Sequence, residues 1–202
     1  MTKKIMLTAV LAVAVMGAAE AAPLKDYSAG KVALDLGFSF GAKVNGSSAK
    51  EAMNGALTVG LGNNWAAQYK YDNYQASRIE EGKLGVQKHE LNVLYKINPM
   101  FSAYAGWVRG NFEAKMDGEG DKFSKNTYQV GIQGQVQLAP KLTGWGSAAL
   151  MGAGYGLEAG LGYEVVKNVD LNLGYKYTRL RHVGDDSTFA GRGFFAGASY
   201  KF

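Results

Sequence analysis

Apolar and polar residues alternate with a period of two through most of the chain from residue 32 onward. The stretch 128–138 is the clearest, because its glutamines and Gly131 oppose one apolar set: Tyr128, Val130, Ile132, Val136 and Leu138. The same alternation runs through 32–40, 53–61 and 157–177. Strict alternation over such lengths predicts β-strands with one apolar and one polar face.

The breaks between these segments are of two kinds. Tight turns at 62–65, 98–100, 139–141 and 167–168 alternate with the longer polar stretches KVNGSSAKE, QASRIEEGK, KMDGEGDKFSK and RHVGDDST. Turns on one side and loops on the other are typical of an up-and-down barrel in an outer membrane. The pattern predicts ten antiparallel strands, near 31–42, 52–62, 65–75, 84–97, 101–114, 124–138, 142–152, 155–166, 170–181 and 189–202. If the glycine-rich stretch 142–156 is miscounted, eight remain, because such barrels have an even number of strands.

The first residues are typical of a secretory signal peptide. Lys3 and Lys4 precede an apolar run over 5–16, and small residues follow up to Ala21. The alternative is a membrane anchor, but the run is shorter than the roughly 20 residues that a spanning helix needs. We therefore expect residues 1–21 to be a cleaved signal peptide and residues 22–202 to be one barrel domain.

Composition narrows the possible classes of function. The chain has 28 glycines, 12 tyrosines and 3 prolines, which favours strands over helices. It has no cysteine, so disulfides and thiolate chemistry are excluded. The net charge of +5 is a mild basic bias, and we expect no nucleic-acid partner.

The alternation alone leaves the direction of the apolar face open. A soluble lipocalin-like barrel would turn its apolar side inward. Against that, the polar faces carry mostly small residues, as a narrow interior requires, and aromatic residues gather near both strand ends as in the two girdles of a membrane barrel. The girdle expected beside the turns is Trp65, Tyr95, Phe101, Tyr163, Tyr200 and Phe202, and that beside the loops is Phe40, Tyr71, Phe112, Tyr128, Tyr177 and Phe194.

The last strand, FFAGASYKF over 194–202, has alternate apolar residues and a terminal phenylalanine. With the signal peptide, it resembles the small bacterial outer-membrane β-barrels of the OmpA transmembrane domain, OmpX and opacity-protein type. The resemblance covers architecture and ending and includes no diagnostic internal motif. It implies location in the cell outer membrane, contact with outer-membrane lipid and lipopolysaccharide, insertion by the barrel-assembly machinery through the last strand, and a monomer.

Charged residues are scattered over the polar faces. Those expected to face the lumen are Asp35, Lys70, Asp72, Glu90, Lys96, Arg109, Glu158, Glu164 and Lys176. Such charges must pair inside a narrow barrel, because an unpaired buried charge is very costly. The resulting network either plugs the barrel or lines a thin aqueous path, and residue types do not choose between these.

Candidate chemistry is sparse. The two histidines are His89 and His182, and neither is followed two residues later by serine, as lipid A deacylases require. His182 lies close to Asp185 and Asp186, as in omptin-like proteases, but the second acidic pair is missing. The DGEGD segment lacks the spacing and terminal glutamate of a calcium loop. We therefore assign no catalytic, cofactor-binding or metal-binding residue.

These observations predict an integral outer-membrane barrel that is not an enzyme. Its expected role is structural or interfacial, with or without a narrow passive channel for ions or very small solutes. The alternatives left open are a surface-interaction barrel acting through its extracellular loops, an outer-membrane enzyme and a soluble periplasmic binding barrel.

Overall fold

The protein is an all-β barrel in a computed structural model that describes residues 22–50, 52–79, 82–116, 119–152, 154–181 and 188–202. The signal peptide expected over 1–21 lies outside these ranges. The strands are β1 Val32–Val44, β2 Ser47–Lys50, β3 Ala52–Gly62, β4 Trp65–Ile79, β5 Gly82–Lys96, β6 Phe101–Met116, β7 Glu119–Ala139, β8 Leu142–Met151, β9 Gly154–Val166, β10 Val169–Leu180 and β11 Phe189–Lys201. No helix in the described ranges is long and apolar enough to cross a membrane.

The sheet closes on itself. Each strand pairs antiparallel with its neighbours, and β11 pairs with β1 from Ala33 opposite Lys201 onward. The Phe202 amide donates to the Val32 carbonyl at 2.8 Å, so hydrogen bonding continues to the end of the last strand. Closure leaves no unpaired sheet edge in the bilayer, where unsatisfied backbone groups are costly.

Eleven segments make a wall of ten strands. Both β2 and β3 pair with β1 on one side and with β4 on the other, so together they occupy one position in the wall. The glycine-rich β8 pairs with β7 and with β9 along its length. The prediction of ten strands is therefore confirmed, and the eight-strand alternative is wrong.

The short turns use residues that tolerate a left-handed backbone. Asn63 and Asn64 have φ values of 51° and 67°, and both positive values match the turn that suits the twist of a two-residue hairpin. Lys141 and Asn168, at two other predicted turns, have φ values of 74° and 70°. Asparagine adopts this conformation more readily than most residues, so the sequence signals at these turns have a physical basis.

The apolar side of the strands faces outward. On β10, Leu171 and Leu173 are more than half exposed, whereas the intervening Asp170 and Asn172 are buried. Exposed leucine, valine and isoleucine side chains continue around β3, β5, β7 and β9. A lipocalin-like barrel needs the opposite arrangement, so that alternative is excluded. The outward band is the lipid-facing surface of a membrane barrel.

Candidate functional site

The middle of the lumen holds a network of buried charges. Asp72 on β4 pairs with Lys176 on β10 and with Lys88 on β5, the latter at 3.0 Å. Lys88 also pairs with Glu90 at 2.6 Å. All four side chains are almost completely buried. Since charges out of water are tolerated only with partners, each of these groups requires the others in place.

Amide side chains extend this network toward β7. Gln129 donates from Nε2 to Glu90 Oε2 at 2.8 Å and to Asn92 Oδ1 at 2.7 Å. The Asn92 amide lies 3.4 Å from Gln68 Oε1. These neutral donors satisfy carboxylate lone pairs that the lysines leave free, as a stable buried charge requires.

A second ion pair crosses the lumen. Lys70 on β4 donates to both carboxylate oxygens of Glu158 on β9, at 3.0 and 2.9 Å. The two strands are not neighbours in the wall, so the pair spans the interior. Close to the short-turn end, Lys201 pairs with Asp170.

Below these pairs, the segment 22–28 enters the barrel from the short-turn side. The Tyr27 hydroxyl lies 3.0 Å from Ser102 Oγ and accepts from Gln133 Nε2 at 3.0 Å. Burial raises the pKa of the Tyr27 phenol. At the rim, the Ser28 hydroxyl and amide donate to Asp26 and lower the pKa of that exposed carboxyl. The segment is thus held by specific polar contacts at its rim end.

Apolar side chains of the same segment pack inside the barrel. Leu24 joins Tyr27 in a buried cluster with Ala33, Ala66 and Leu94. A second buried cluster contains Ala22, Trp145 and Phe195, with the two aromatic rings 5.8 Å apart. The segment 22–28, called the lumen segment below, therefore forms the floor of the interior.

A small cavity separates the lumen segment from the ion pairs. Its volume is about 20 Å³, and its lining includes Pro23, Leu24, Asp35, Lys70 and Glu158. A cavity must offer roughly 10–15 Å³ to hold one water molecule. The lumen segment and the ion pairs are therefore two successive layers of protein, with room for about one water in the cavity between them.

Most of the charges expected in the lumen lie on its inner face. Asp35, Lys70, Asp72, Glu90 and Lys176 are buried there, and Glu158 joins them through Lys70. Lys96 and Glu164 lie on inward positions near the turns and are half-buried. The Lys96 ammonium donates to the backbone carbonyl of Lys25, which ties the rim to the lumen segment.

Arg109 is the exception and corrects the prediction. It lies opposite His89 and is exposed on the outer face, while its neighbour Val108 is buried inside. The Arg109 Nε donates to Asn111 Oδ1 at 3.1 Å. The β6 sequence misleads because Trp107 and Val108 are both apolar, so alternation does not fix which side faces the lumen.

Several lumen residues are absent from the sequence-based set. Lys88, which bridges two carboxylates, shares the inward side with Glu90 two residues later, so strand periodicity could have identified it. Gln129 lies on the polar side of the clearest alternating stretch. The sequence contains no comparable signal that Trp145 and Tyr27 face the lumen, because aromatic residues are expected to face lipid.

Eleven of the twelve residues predicted to form the girdles have described side chains, and all eleven face outward. Near the turns, Trp65 and Tyr95 have ring centroids 4.8 Å apart, and Tyr200 and Phe202 are 4.5 Å apart. Near the loops, Phe40 and Phe194 stack at 6.0 Å. Also outward are Phe101, Tyr163, Tyr71, Tyr128 and Tyr177. The side chain of Phe112 lies outside the described residues.

Of the two histidines, His89 lies on β5 within the described residues. On the outer face, His89 Nδ1 lies 2.7 Å from the Tyr69 hydroxyl. His182, Asp185 and Asp186 lie outside the described ranges. Within the part of the chain that the structure describes, no group of three or more His, Asp or Glu residues could hold a metal ion.

Comparisons with known proteins agree on the fold. Residues 8–202 match the family model described as "Outer membrane protein beta-barrel domain". No curated protein sequence matches the chain at a significant level. Among solved structures, the outer membrane protease OmpT of Escherichia coli is 11% identical, with a TM-score of 0.54 over 86% of this chain and 97% of that one.

Two further solved structures are less similar in shape. Ail, the attachment invasion locus protein of Yersinia pestis, is 18% identical with a TM-score of 0.46, over 86% of this chain and 99% of that one. The N-terminal β-barrel domain of Pseudomonas aeruginosa OprF is 12% identical with a TM-score of 0.46, over 86% and 98%. At these identities the likeness extends to the fold alone, and one fold hosts many functions.

Proposed function

Since this chain belongs to the outer membrane protein beta-barrel domain family and resides in the outer membrane, we propose that it is a closed, non-enzymatic barrel with a structural or interfacial role. The observation that carries the proposal is the filled lumen. Charged pairs from β4, β5, β9 and β10 meet across the interior, and the lumen segment fills the space below them.

The lumen is blocked at two levels, by the charged pairs and by the lumen segment, and each level supports closure independently of the other. Lys70 and Glu158 form one bar across the lumen, and Asp72 with its two lysines forms another. Removing the lumen segment alone leaves these charged bars in place. Removing the Lys70–Glu158 pair alone leaves Leu24 and Tyr27 packed beneath. Conductance should therefore require loss of both levels.

Planar-bilayer recording of the refolded chain 22–202 tests this proposal. Heat-modifiable gel migration first verifies that each variant is folded. We expect no discrete conductance steps from the wild type, from Lys70→Ala with Glu158→Ala, or from deletion of 22–28. A variant that combines both changes with alanine at Asp72, Lys88 and Lys176 removes both charged bars and the lumen segment, so it should conduct and serves as the positive control. Reproducible steps from the wild-type barrel would contradict a closed lumen and support a small pore.

A surface-interaction role is the second candidate, and one observation favours it. Strand β7 has 21 residues against 10 in β8, and β6 and β7 remain paired from Trp107–Tyr128 out to Met116–Glu119. At about 3.3 Å per residue, this ribbon runs nearly 30 Å along its strands past Tyr128. It carries the polar side chains of Arg109 and Asn111.

The ribbon can be tested apart from the lumen. A variant lacking 113–122 shortens the ribbon and leaves the lumen contacts in place. If the barrel acts through this surface, adherence of bacteria displaying the variant to immobilised extracellular-matrix proteins and glycans should fall at equal surface expression. Equal adherence of the two strains would exclude the ribbon as the binding surface.

A further inference from the structure

Among the residues that the structure describes, one buried carboxylate in the lumen has no cation paired with it. Asp35 on β1 is 6% exposed, and among the described residues it forms no ion pair. Its Oδ1 atom has no hydrogen-bond partner there. The other buried acids at this depth are paired, Asp170 with Lys201 and Glu158 with Lys70. An unpaired buried carboxylate is costly, so Asp35 must either take up a proton or gain a further cation beside it.

The start of the lumen segment lies next to this carboxylate. Ser199 is opposite Asp35 in the β1–β11 register, so the two side chains are neighbours on the lumen face. Asn172 donates from Nδ2 to Ser199 Oγ at 2.7 Å. The Asn172 Oδ1 atom in turn accepts from the Ala22 backbone nitrogen at 3.5 Å. A chain of hydrogen bonds therefore runs from the Ala22 nitrogen through Asn172 to Ser199, the neighbour of Asp35.

A shared cavity places Asp35 beside the two residues that follow Ala22. Asp35, Pro23 and Leu24 all line the 20 Å³ space between the lumen segment and the ion pairs. This volume admits about one small polar group or water, and not a solvent channel. Ala22 itself is buried against Trp145 and Phe195. A charge placed on the Ala22 nitrogen would be sheltered from bulk water.

We propose that cleavage between Ala21 and Ala22 creates this cation, and that the new α-ammonium of Ala22 binds Asp35 and fixes the lumen segment in the barrel. In the cleavage, water adds to the Ala21 carbonyl carbon and the C–N bond breaks. Ala21 leaves with the carboxylate, and the Ala22 amine takes up a proton. An α-ammonium has three donors, which suffice for Asn172 Oδ1 and the free Asp35 oxygen.

Neighbouring charges do not replace the terminus. The positive charges of Lys201 on β11 and Lys70 on β4 favour the ionised form of Asp35, and the negative charge of Asp170 on β10 disfavours it. Both lysines make close contacts with other carboxylates. This proposal adds to the proposed function and rests on it in one respect, because it requires the lumen segment to be buried inside a closed barrel.

The test uses the full chain, expressed with its leader in a Gram-negative host and purified folded from outer membranes. Intact mass identifies the first residue. The rate of acetylation of the α-amine at pH 7 is then compared with that of the lysines in the same sample. We expect Asp35→Asn to raise the α-amine rate on the order of tenfold, as expected for loss of about one pK unit of stabilisation of the ammonium. Trypsin cleavage after Lys25 should accelerate in parallel.

Asp170→Asn is the matched control. It removes a neighbouring buried carboxylate that is paired with Lys201, so the α-amine rate should stay at the wild-type value. If Asp35→Asn does not fold, insertion of one glycine between Ala21 and Ala22 keeps Asp35 and displaces the ammonium. With the cut still after Ala21, this variant should show the same rise.

Three results would overturn the proposal: a first residue other than Ala22, an α-amine rate unchanged by both the Asp35→Asn change and the glycine insertion, or an equal rise in Asp170→Asn. The readout is separate from conductance. A silent barrel with a freely reacting amine would leave the closed lumen standing and remove the role of Asp35. A conducting barrel would contradict the closed lumen whatever the amine does.

Discussion

Replacing Lys88 with methionine is the sharpest test of the lumen network, because this side chain serves two carboxylates. It lies 3.0 Å from Asp72 and 2.6 Å from Glu90. Methionine keeps most of the length of the side chain and removes the ammonium group with its charge and N–H donors. Asp72 retains Lys176, whereas Glu90 retains the Gln129 amide at 2.8 Å but loses its nearest cation.

The expected loss follows from what is left unpaired. Removing one partner of a buried ion pair costs about 3–5 kcal/mol. Since both carboxylates keep one other partner, we expect the lower end, about 3 kcal/mol in the free energy of unfolding. That corresponds to roughly a hundredfold change in the folding equilibrium. Adding Glu90→Gln should recover part of the loss, because a neutral amide no longer requires the lysine.

Equilibrium urea unfolding in lipid vesicles, followed by tryptophan fluorescence, measures this difference. Lys122→Met is the control, since Lys122 is 73% exposed and its pair with Glu113 at 3.5 Å lies in solvent. Such a pair contributes at most about 1 kcal/mol. If Lys88→Met costs no more than Lys122→Met, the lumen charges do not act as a buried network.

Three further changes address other parts of the fold. Gly174→Ala should destabilise the barrel by about 1–3 kcal/mol in urea unfolding, since a Cβ there would lie 2.4 Å from the Phe195 ring. Gly156→Ala, whose Cβ would meet nothing closer than 3.6 Å, should be tolerated. Deleting Phe202 should slow insertion into outer membranes, seen as a delayed heat-modifiable band, and normal kinetics would remove its assembly role. Burial raises the pKa of the Tyr27 phenol, so the neutral phenol stabilises the folded lumen segment at every pH below the ordinary value near 10. This stabilisation is lost as the pH rises through the higher pKa of the folded state. Tyr27→Phe should therefore abolish any alkaline rise in trypsin cleavage after Lys25.

The fold could be predicted from the sequence because a membrane barrel repeats one rule. Every strand must present an apolar side to lipid and a polar side to the lumen, so a period of two appears in each. The turns add their own signal, as at Asn63 and Asn64, where positive φ favours asparagine. The number of strands then follows from counting the alternating segments. The side of each strand that faces the lumen follows from the small size of the polar residues.

Contacts across the lumen were beyond this kind of reasoning. Periodicity places Lys70 and Glu158 on the same inner face, but their pairing depends on barrel curvature, which brings β4 opposite β9. The lumen segment has no period at all, and its position depends on the shape of an interior built by other residues. The error at Arg109 arose where two consecutive apolar residues removed the alternation that fixes direction.

The route that the chain takes before it inserts also explains why the lumen is filled with charged residues. A lumen packed with leucine and valine would make each strand apolar on both faces, and a continuous run of about 20 such residues would be read as a spanning helix. Polar inner faces avoid that outcome. Once the barrel closes, those same residues are cut off from water and must be satisfied by one another, as Asp72 is by Lys88 and Lys176. A dense internal network is thus the consequence of making an outer-membrane strand that remains soluble until it is inserted.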